Sequence, residues 1–241
     1  MVEINSSFYG PQQPGASRGW VRRVADHPDF RFTAKLWKGF THERNATAND
    51  EKLFKDGIQP LLDGGRLGAL LLQFPWSFKN EPENRNYLWR LRDRFSEYPL
   101  VLEVRHNHSS WIQPQVLDTL AEIGIGLCNI DQPLFHRSVK SAVHSTSGIG
   151  YVRLHGRNYK EWFSPKADVR QRYDFLYSVE QLEPWVDRIR KISAETRDTY
   201  VVTNNHNLGK ANVNAFELQA LFGKRIKPPA QLVQRIPSSK S

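Results

Sequence analysis

The chain has 241 residues, 39% hydrophobic and 24% charged, enough apolar sequence for one large core and far from a disordered or fibrous composition. Its longest apolar stretch, "LGALLLQFPW", is too short to span a bilayer, and no basic segment leads into an apolar run at the N-terminus. Neither a membrane anchor nor a signal peptide is therefore expected. The net charge of +9 is weighted toward residues 224–241, where Lys224, Arg225, Lys227, Arg235 and Lys240 occur without an acid. That composition reads as a disordered tail, solvated or in contact with polyanions. The lone Cys128, inside "IGLCNI", excludes a disulfide framework and suits a buried thiol in a reducing cytoplasm.

From the N-terminus, "VEINSSFY" alternates apolar and polar residues at the strand period. Further strand-like runs follow at Phe30–Leu36, Leu67–Pro75, Pro99–His106, Ile125–Ile130, Gly150–Arg157 and Thr199–Asn205. Helical patterns fill most of the gaps: "SRGWVRRVADH", "ANDEKLFKDGIQPLL" starting around Thr47 to Asp50, "PENRNYLWRLRDRF" and "QPQVLDTLAEIG". "SVEQLEPWVDRIRKISAE", with Ser178 as N-cap, and "KANVNAFELQALFG", ending at Gly223, complete the series. Strand and helix in alternation at this spacing imply parallel βαβ units.

Side-chain parity narrows the architecture. Val2 and Ile4 oppose Glu3 and Asn5; Phe32, Ala34 and Leu36 oppose Thr33 and Lys35; Leu102 and Val104 oppose Glu103 and Arg105; Val152 and Leu154 oppose Arg153 and His155. One face of each strand is apolar throughout, whereas the other turns polar toward the strand's C-terminal end. An open doubly wound sheet would favour two apolar faces. A TIM-type (β/α) barrel over residues 1–223 predicts the observed pattern, with polar groups pointing into its C-terminal mouth. Seven strands are visible rather than eight, so an inner strand as the first element implies a missing first β/α unit.

The blocks "VEINSSFYG", "FRFTAKLWKGFTHE", "LGALLLQFPWSF", "LEVRH…SW", "YVRLHGR", "YDFLYS" and "VVTNNH" resemble, in order, the YecE-like proteins, domain-of-unknown-function family 72. The resemblance runs from about Val2 to Gly223 and implies a TIM-type barrel; it implies no reaction. Members of that family carry an upstream strand and helix with a Gly-Ser-Gly-Trp-like motif that this chain lacks, and the stretch "HNHSS" is longer here than in the family.

By parity, Glu3, Asn5, Lys35, Gln73, Glu103, Arg105, Asp131, Arg153 and His155 should converge near the mouth. Thr41, His42 and Glu43 follow the second visible strand, and Asn204 and Asn205 end the last. Three acids balance three permanent cations in the first set, which fits either a self-satisfied ion-pair network or a prepared acid–base site. Glu3, Glu103, Asp131 and His155 could ligate an optional divalent metal, although no dense local motif marks one and the cations would repel it. An anionic ligand suits Arg105 and Arg153 better, with Lys35, Asn5, Gln73, Arg157, Asn204 and Asn205 as further contacts. His155 or His42 would act as general acid or base, with Glu103 orienting water. Glu3 and Glu103 could alternatively form a glycosidase-like carboxylate pair.

These residues point to a hydrolase or lyase acting on a phosphate- or sugar-containing substrate. A nucleic-acid-binding protein is the alternative, because residues 156–178 interleave Arg157, Lys160, Lys166, Arg170 and Arg172 with Tyr159, Trp162, Phe163, Tyr173 and Tyr177. The same loop could equally be a lid whose aromatics pack on the barrel mouth. An inactive truncated product, with exposed sheet edges, is the third reading.

Overall fold

The alternating runs form seven parallel strands paired in sequence order. They are β1 Val2–Ile4, β2 Phe32–Lys35, β3 Leu67–Gln73, β4 Leu100–Glu103, β5 Gly126–Asp131, β6 Ile149–Leu154 and β7 Asp198–Thr203. The structure is a computed structural model describing residues 1–105, 111–133, 143–162, 168–205 and 207–227, without the side chains at 169 and 170. The "HNHSS" stretch, Phe163, Lys166, the Arg170 side chain and the tail beyond 227 lie outside the described residues.

Helices α1 Pro14–Arg23, α3 Ala48–Asp63, α4 Pro82–Arg94, α5 Pro114–Glu122, α7 Val179–Glu195 and α8 Lys210–Leu221 follow the expected patterns, with short α2 Lys38–Thr41 and α6 Val169–Arg172 added. Their ends follow from local chemistry. The Thr47 hydroxyl accepts from the Asp50 amide at 3.2 Å while the Asp50 carboxylate accepts from the Thr47 amide at 2.8 Å, a reciprocal cap that starts α3. The backbone N–H of Ser178 donates to the Gln181 side chain at 3.0 Å ahead of α7. Gly223, with φ of 81°, follows α8 in the left-handed conformation that glycine tolerates. None of the described helices is long and apolar enough to cross a membrane.

The sheet curves into a nearly closed TIM-like barrel, because side chains from distant strands meet inside it. Thr33 on β2 lies 2.8 Å from the Tyr151 hydroxyl on β6, and Glu3 on β1 pairs with Arg153 on β6 at 2.7 Å. The lower interior is apolar, filled by Ala69, Leu71, Val101, Cys128, Ile130, Tyr151 and Tyr200. Gly68 makes room for this layer: a Cβ there would meet the Tyr200 ring at 2.5 Å. Outside the sheet, Ala34, Leu70, Leu72 and Leu102 pack with α3 and α4, and Val152 and Leu154 pack with Leu182, Trp185 and Ile189 of α7. No pairing joins β1 to β7 among the described residues, and a groove of about 810 Å³ runs along that seam beside Val2, Val201 and Phe222.

The first strand is shorter than "VEINSSFY" suggested. It ends at Ile4, and Ser6–Phe8 form a 3₁₀ turn. The reason is Ser7, fully buried, whose hydroxyl lies 2.8 Å from the carbonyl oxygens of both Ile4 and Lys35 and accepts from the Lys35 amide at 3.0 Å. That hydroxyl replaces the ladder hydrogen bond a continuing strand would have supplied.

Candidate active site at the barrel mouth

Above the apolar layer the inward positions of β1, β3, β4 and β6 are polar, and they form one network. Arg153, 1% exposed, is its centre. One terminal nitrogen donates to Glu103 at 2.5 Å and to Gln73 at 3.2 Å; the other donates to Glu3 at 2.7 Å and to Asn204 at 3.1 Å. The Tyr151 hydroxyl donates to the second Glu3 oxygen at 2.8 Å. The Arg105 Nε donates to Glu103 Oε1 at 3.0 Å. Burial alone would raise the Glu103 carboxyl, but the surrounding charges, Arg153 foremost, outweigh it and hold the carboxyl well below the ordinary range. Glu103 is thus a fixed anion inside the barrel.

His155 belongs to the same layer and is fully buried. The Asn204 carbonyl accepts from Arg153, which turns its amide nitrogen toward His155 Nδ1 at 3.0 Å. Nδ1 is then an acceptor, and the proton of the neutral ring sits on Nε2, 3.3 Å from Glu103 Oε1 but off hydrogen-bonding alignment. Burial, opposed by Glu103 and reinforced by Arg105, lowers the His155 pKa to about 3. The ring is neutral at physiological pH.

The mouth itself is a cavity of about 770 Å³, of small-molecule size. Its polar lining includes Asn5, Lys35, His42, Gln73, Arg105, Arg153 and Asn204; its aromatic lining is Phe8, Tyr9, Phe74, Trp76, Trp162 and Tyr173. Lys35 is 8% exposed, with its ammonium 4.3 Å from the centroid of Phe8 and no hydrogen bond or ion pair from that ammonium among the described residues. Burial, then the charge of Arg153, lower its pKa to about 8. Among the described residues the Arg105 terminal nitrogens donate to the Tyr173 hydroxyl, each at 3.3 Å, and a guanidinium has N–H groups beyond those engaged there and at Glu103. His42 stands at the exposed rim, with Nδ1 2.9 Å from the Thr41 hydroxyl and its ring edge-on to Phe8. Burial, then Lys35 and Arg105, lower its pKa to about 4.

Glu3, Glu103 and His155 therefore come together, but beneath the cavity floor. Asp131 does not join them. Cys128 and Ile130 take the interior positions of β5, so Asp131 faces outward, where Arg157 grips both its oxygens at 2.8 and 3.0 Å and Tyr177 donates at 2.6 Å. Asn205 likewise faces α8, donating to the Phe175 carbonyl and to Asn214 at 2.7 Å each. Arg157 and Asn205 are absent from the cavity lining. Among the described residues no three histidine, cysteine or acidic side chains gather as a metal set, so Glu3, Glu103, Asp131 and His155 do not form the ligand shell considered above.

Sequence reasoning missed Ser7, Phe8, Tyr9 and Trp76. The aromatic run "SSFYG" after β1 and "FPW" after β3 were the available signals, since aromatics just past barrel strands line the mouth. Of the described residues after β6, Trp162, 8% exposed, and Tyr173 lie edge-on to each other at the cavity, whereas Tyr177 is buried outside the barrel with α7.

Comparison with known proteins gives one consistent answer. The family profile described as "Protein of unknown function DUF72" matches residues 1–239. The UPF0759 protein YunF of Bacillus subtilis is 29% identical over 237 residues, covering 92% of this chain and 83% of that protein. A DUF72 family crystal structure from Enterococcus faecalis superposes with a TM-score of 0.84 at 26% identity, covering 94% of this chain and 86% of the other. A second, from Thermotoga maritima, superposes with a TM-score of 0.80 at 31% identity, over 92% and 85% of the two chains.

Proposed function

This chain belongs to the DUF72 family, and from that premise we propose that it is an enzyme of the lyase type acting on a small substrate that carries a phosphate or carboxylate. The observation that supports this reading is Arg105, pinned by its Nε to Glu103 while its remaining N–H groups face a cavity of small-molecule size. A guanidinium steadied by Glu103 and Tyr173, with N–H groups beyond those contacts, is a preorganised anion anchor. The Trp162 and Tyr173 rings border the same cavity, and the Arg105 guanidinium lies 5.9 Å from the Trp162 centroid.

Lyase chemistry is favoured over hydrolysis by a carboxylate pair, because both Glu3 and Glu103 are committed to Arg153 below the floor. The groups left to move protons at the cavity are the His42 imidazole, neutral at pH 7, and the Lys35 amine. The buried layer of Glu3, Glu103, Arg153 and His155 has a positioning role: it fixes the floor and aims Arg105.

Titration calorimetry tests the anion site. Inorganic phosphate should bind with one-to-one stoichiometry, and Arg105→Met should weaken it at least about tenfold, the loss of one charge-assisted contact. A single-stranded oligonucleotide that bound more tightly than phosphate, with affinity falling steeply in salt, would replace this reading with nucleic-acid binding.

A further inference from the structure

Among the described residues Lys35 is the one lysine that lines the cavity, and its surroundings are unusual for an ammonium. The Ser7 hydroxyl holds its backbone amide, the Phe8 ring lies against its tip, and no acceptor engages its nitrogen among the described residues. The charged groups that act on it are Arg153 and Arg105, which oppose its protonation, and Glu3 and Glu103, which favour it but are themselves ion-paired to Arg153. A merely structural lysine gains an ion pair or extends into bulk solvent; among the described residues this one has no ion pair, and its exposed surface is at the cavity.

We propose that Lys35 is a nucleophilic amine that forms an imine with the carbonyl carbon of a small substrate whose phosphate or carboxylate is anchored on Arg105. The proposal rests on the anion-binding reading above and extends it to a substrate class: anionic aldehydes, ketones or 2-oxo acids. The lone pair of the neutral amine adds to the carbonyl carbon, the carbon–oxygen π bond breaks, and one nitrogen proton passes to the oxygen, giving a carbinolamine. Its hydroxyl takes a second proton from solvent and leaves as water, and the nitrogen lone pair closes the carbon–nitrogen double bond as a protonated imine, with no oxidant or reductant consumed. The protonated imine then withdraws electrons from the adjacent bond, which is the electron sink lyase chemistry requires.

The depressed pKa, about 8, agrees with this role: about a tenth of the side chain is free amine at pH 7, against well under a thousandth for an ordinary lysine near 10.4. His42 lines the rim of the same cavity.

Reductive trapping decides the matter. The whole protein is incubated at pH 7 with dihydroxyacetone phosphate or with pyruvate, cyanoborohydride is added, and the digest is read by mass spectrometry. The expected result is one adduct per chain on Lys35, at least about tenfold above any surface lysine, suppressed by excess phosphate and absent in Lys35→Arg. The Lys35→Arg variant should keep the circular-dichroism spectrum and the cooperative urea unfolding of the unmutated protein, which shows that it is folded. Phosphate binding without preferential reduction at Lys35 overturns the imine and leaves the anion site standing. Loss of both phosphate binding and trapping in the unmutated protein overturns the two together.

Discussion

The Lys35 ammonium lies 4.3 Å from the centroid of the Phe8 ring, and one hydroxyl, that of Ser7, ties the two residues together. It accepts from the Lys35 amide and lies against the Ile4 carbonyl, so the turn that carries Phe8 is bolted to the strand that carries Lys35. The cation–π contact offsets part of the cost of burying the charge, by about 1–2 kcal/mol in a desolvated site.

Ser7→Ala follows directly. It strips a fully buried backbone N–H of its partner and should cost about 1–3 kcal/mol in denaturant unfolding. It should also lower the trapping yield at Lys35, whereas a serine with no positioning role would change stability alone.

Glu103 holds two guanidinium groups, through Arg153 at 2.5 Å and Arg105 at 3.0 Å, with no exposure to solvent. Glu103→Ala leaves Arg153 with Glu3 as its one carboxylate, and breaking a buried pair in this way costs about 3–5 kcal/mol. Equilibrium unfolding of the variant at pH 7 checks the figure; a change below about 1 kcal/mol would show that the interior network is solvated.

The pH dependence of stability has a sign fixed by His155. Its pKa falls from an unfolded value near 6.5 to about 3 in the folded chain. Between those values the unfolded state takes up a proton that the folded state refuses, so stability is full above about pH 6.5 and declines as the pH falls toward 3. One proton corresponds to about 1.4 kcal/mol per pH unit. Glu103, depressed in the folded state, adds to the loss only below its unfolded value near 4.3. His155→Gln should therefore flatten the unfolding free energy between pH 4.5 and 6 by about that slope, measured by urea titration at each pH.

Tyr177 supports the lid from below. Its hydroxyl donates to Asp131 at 2.6 Å and accepts from the Gly156 amide at 2.8 Å. Tyr177→Phe strips the Gly156 amide of this acceptor, while Asp131 keeps Arg157, and should cost about 1–3 kcal/mol. Because the lesion lies outside the barrel interior, phosphate affinity should fall less than about threefold, as calorimetry on the folded variant would show.

Much of this was legible in the sequence because strand parity is strict. Glu3, Glu103, Arg153 and His155 alternate with apolar neighbours, so their common interior layer could be read from the alternation alone. Parity failed where both neighbours were of one kind. "IGLCNI" is apolar on both faces, which left the phase of β5 undefined, and Asp131 was placed inside although Ile130 takes that position. Asn204 and Asn205 are chemically identical, so nothing local distinguished the one facing Arg153 from the one facing α8. Whether a polar layer is the cavity's surface or its floor depends on shear and on lid packing, which are tertiary. For that reason the sequence left Glu103 and His155 open between an ion-pair network and an acid–base site, and they lie buried in the network beneath Lys35, Arg105 and the aromatic rim.

A crystal structure of the protein soaked with dihydroxyacetone phosphate tests the central claim most directly. The account predicts phosphate density against Arg105, beneath Trp162 and Tyr173, with the three-carbon chain directed to Lys35. Density at any other site, or phosphate kept off Arg105 by the Tyr173 hydroxyl, would contradict it.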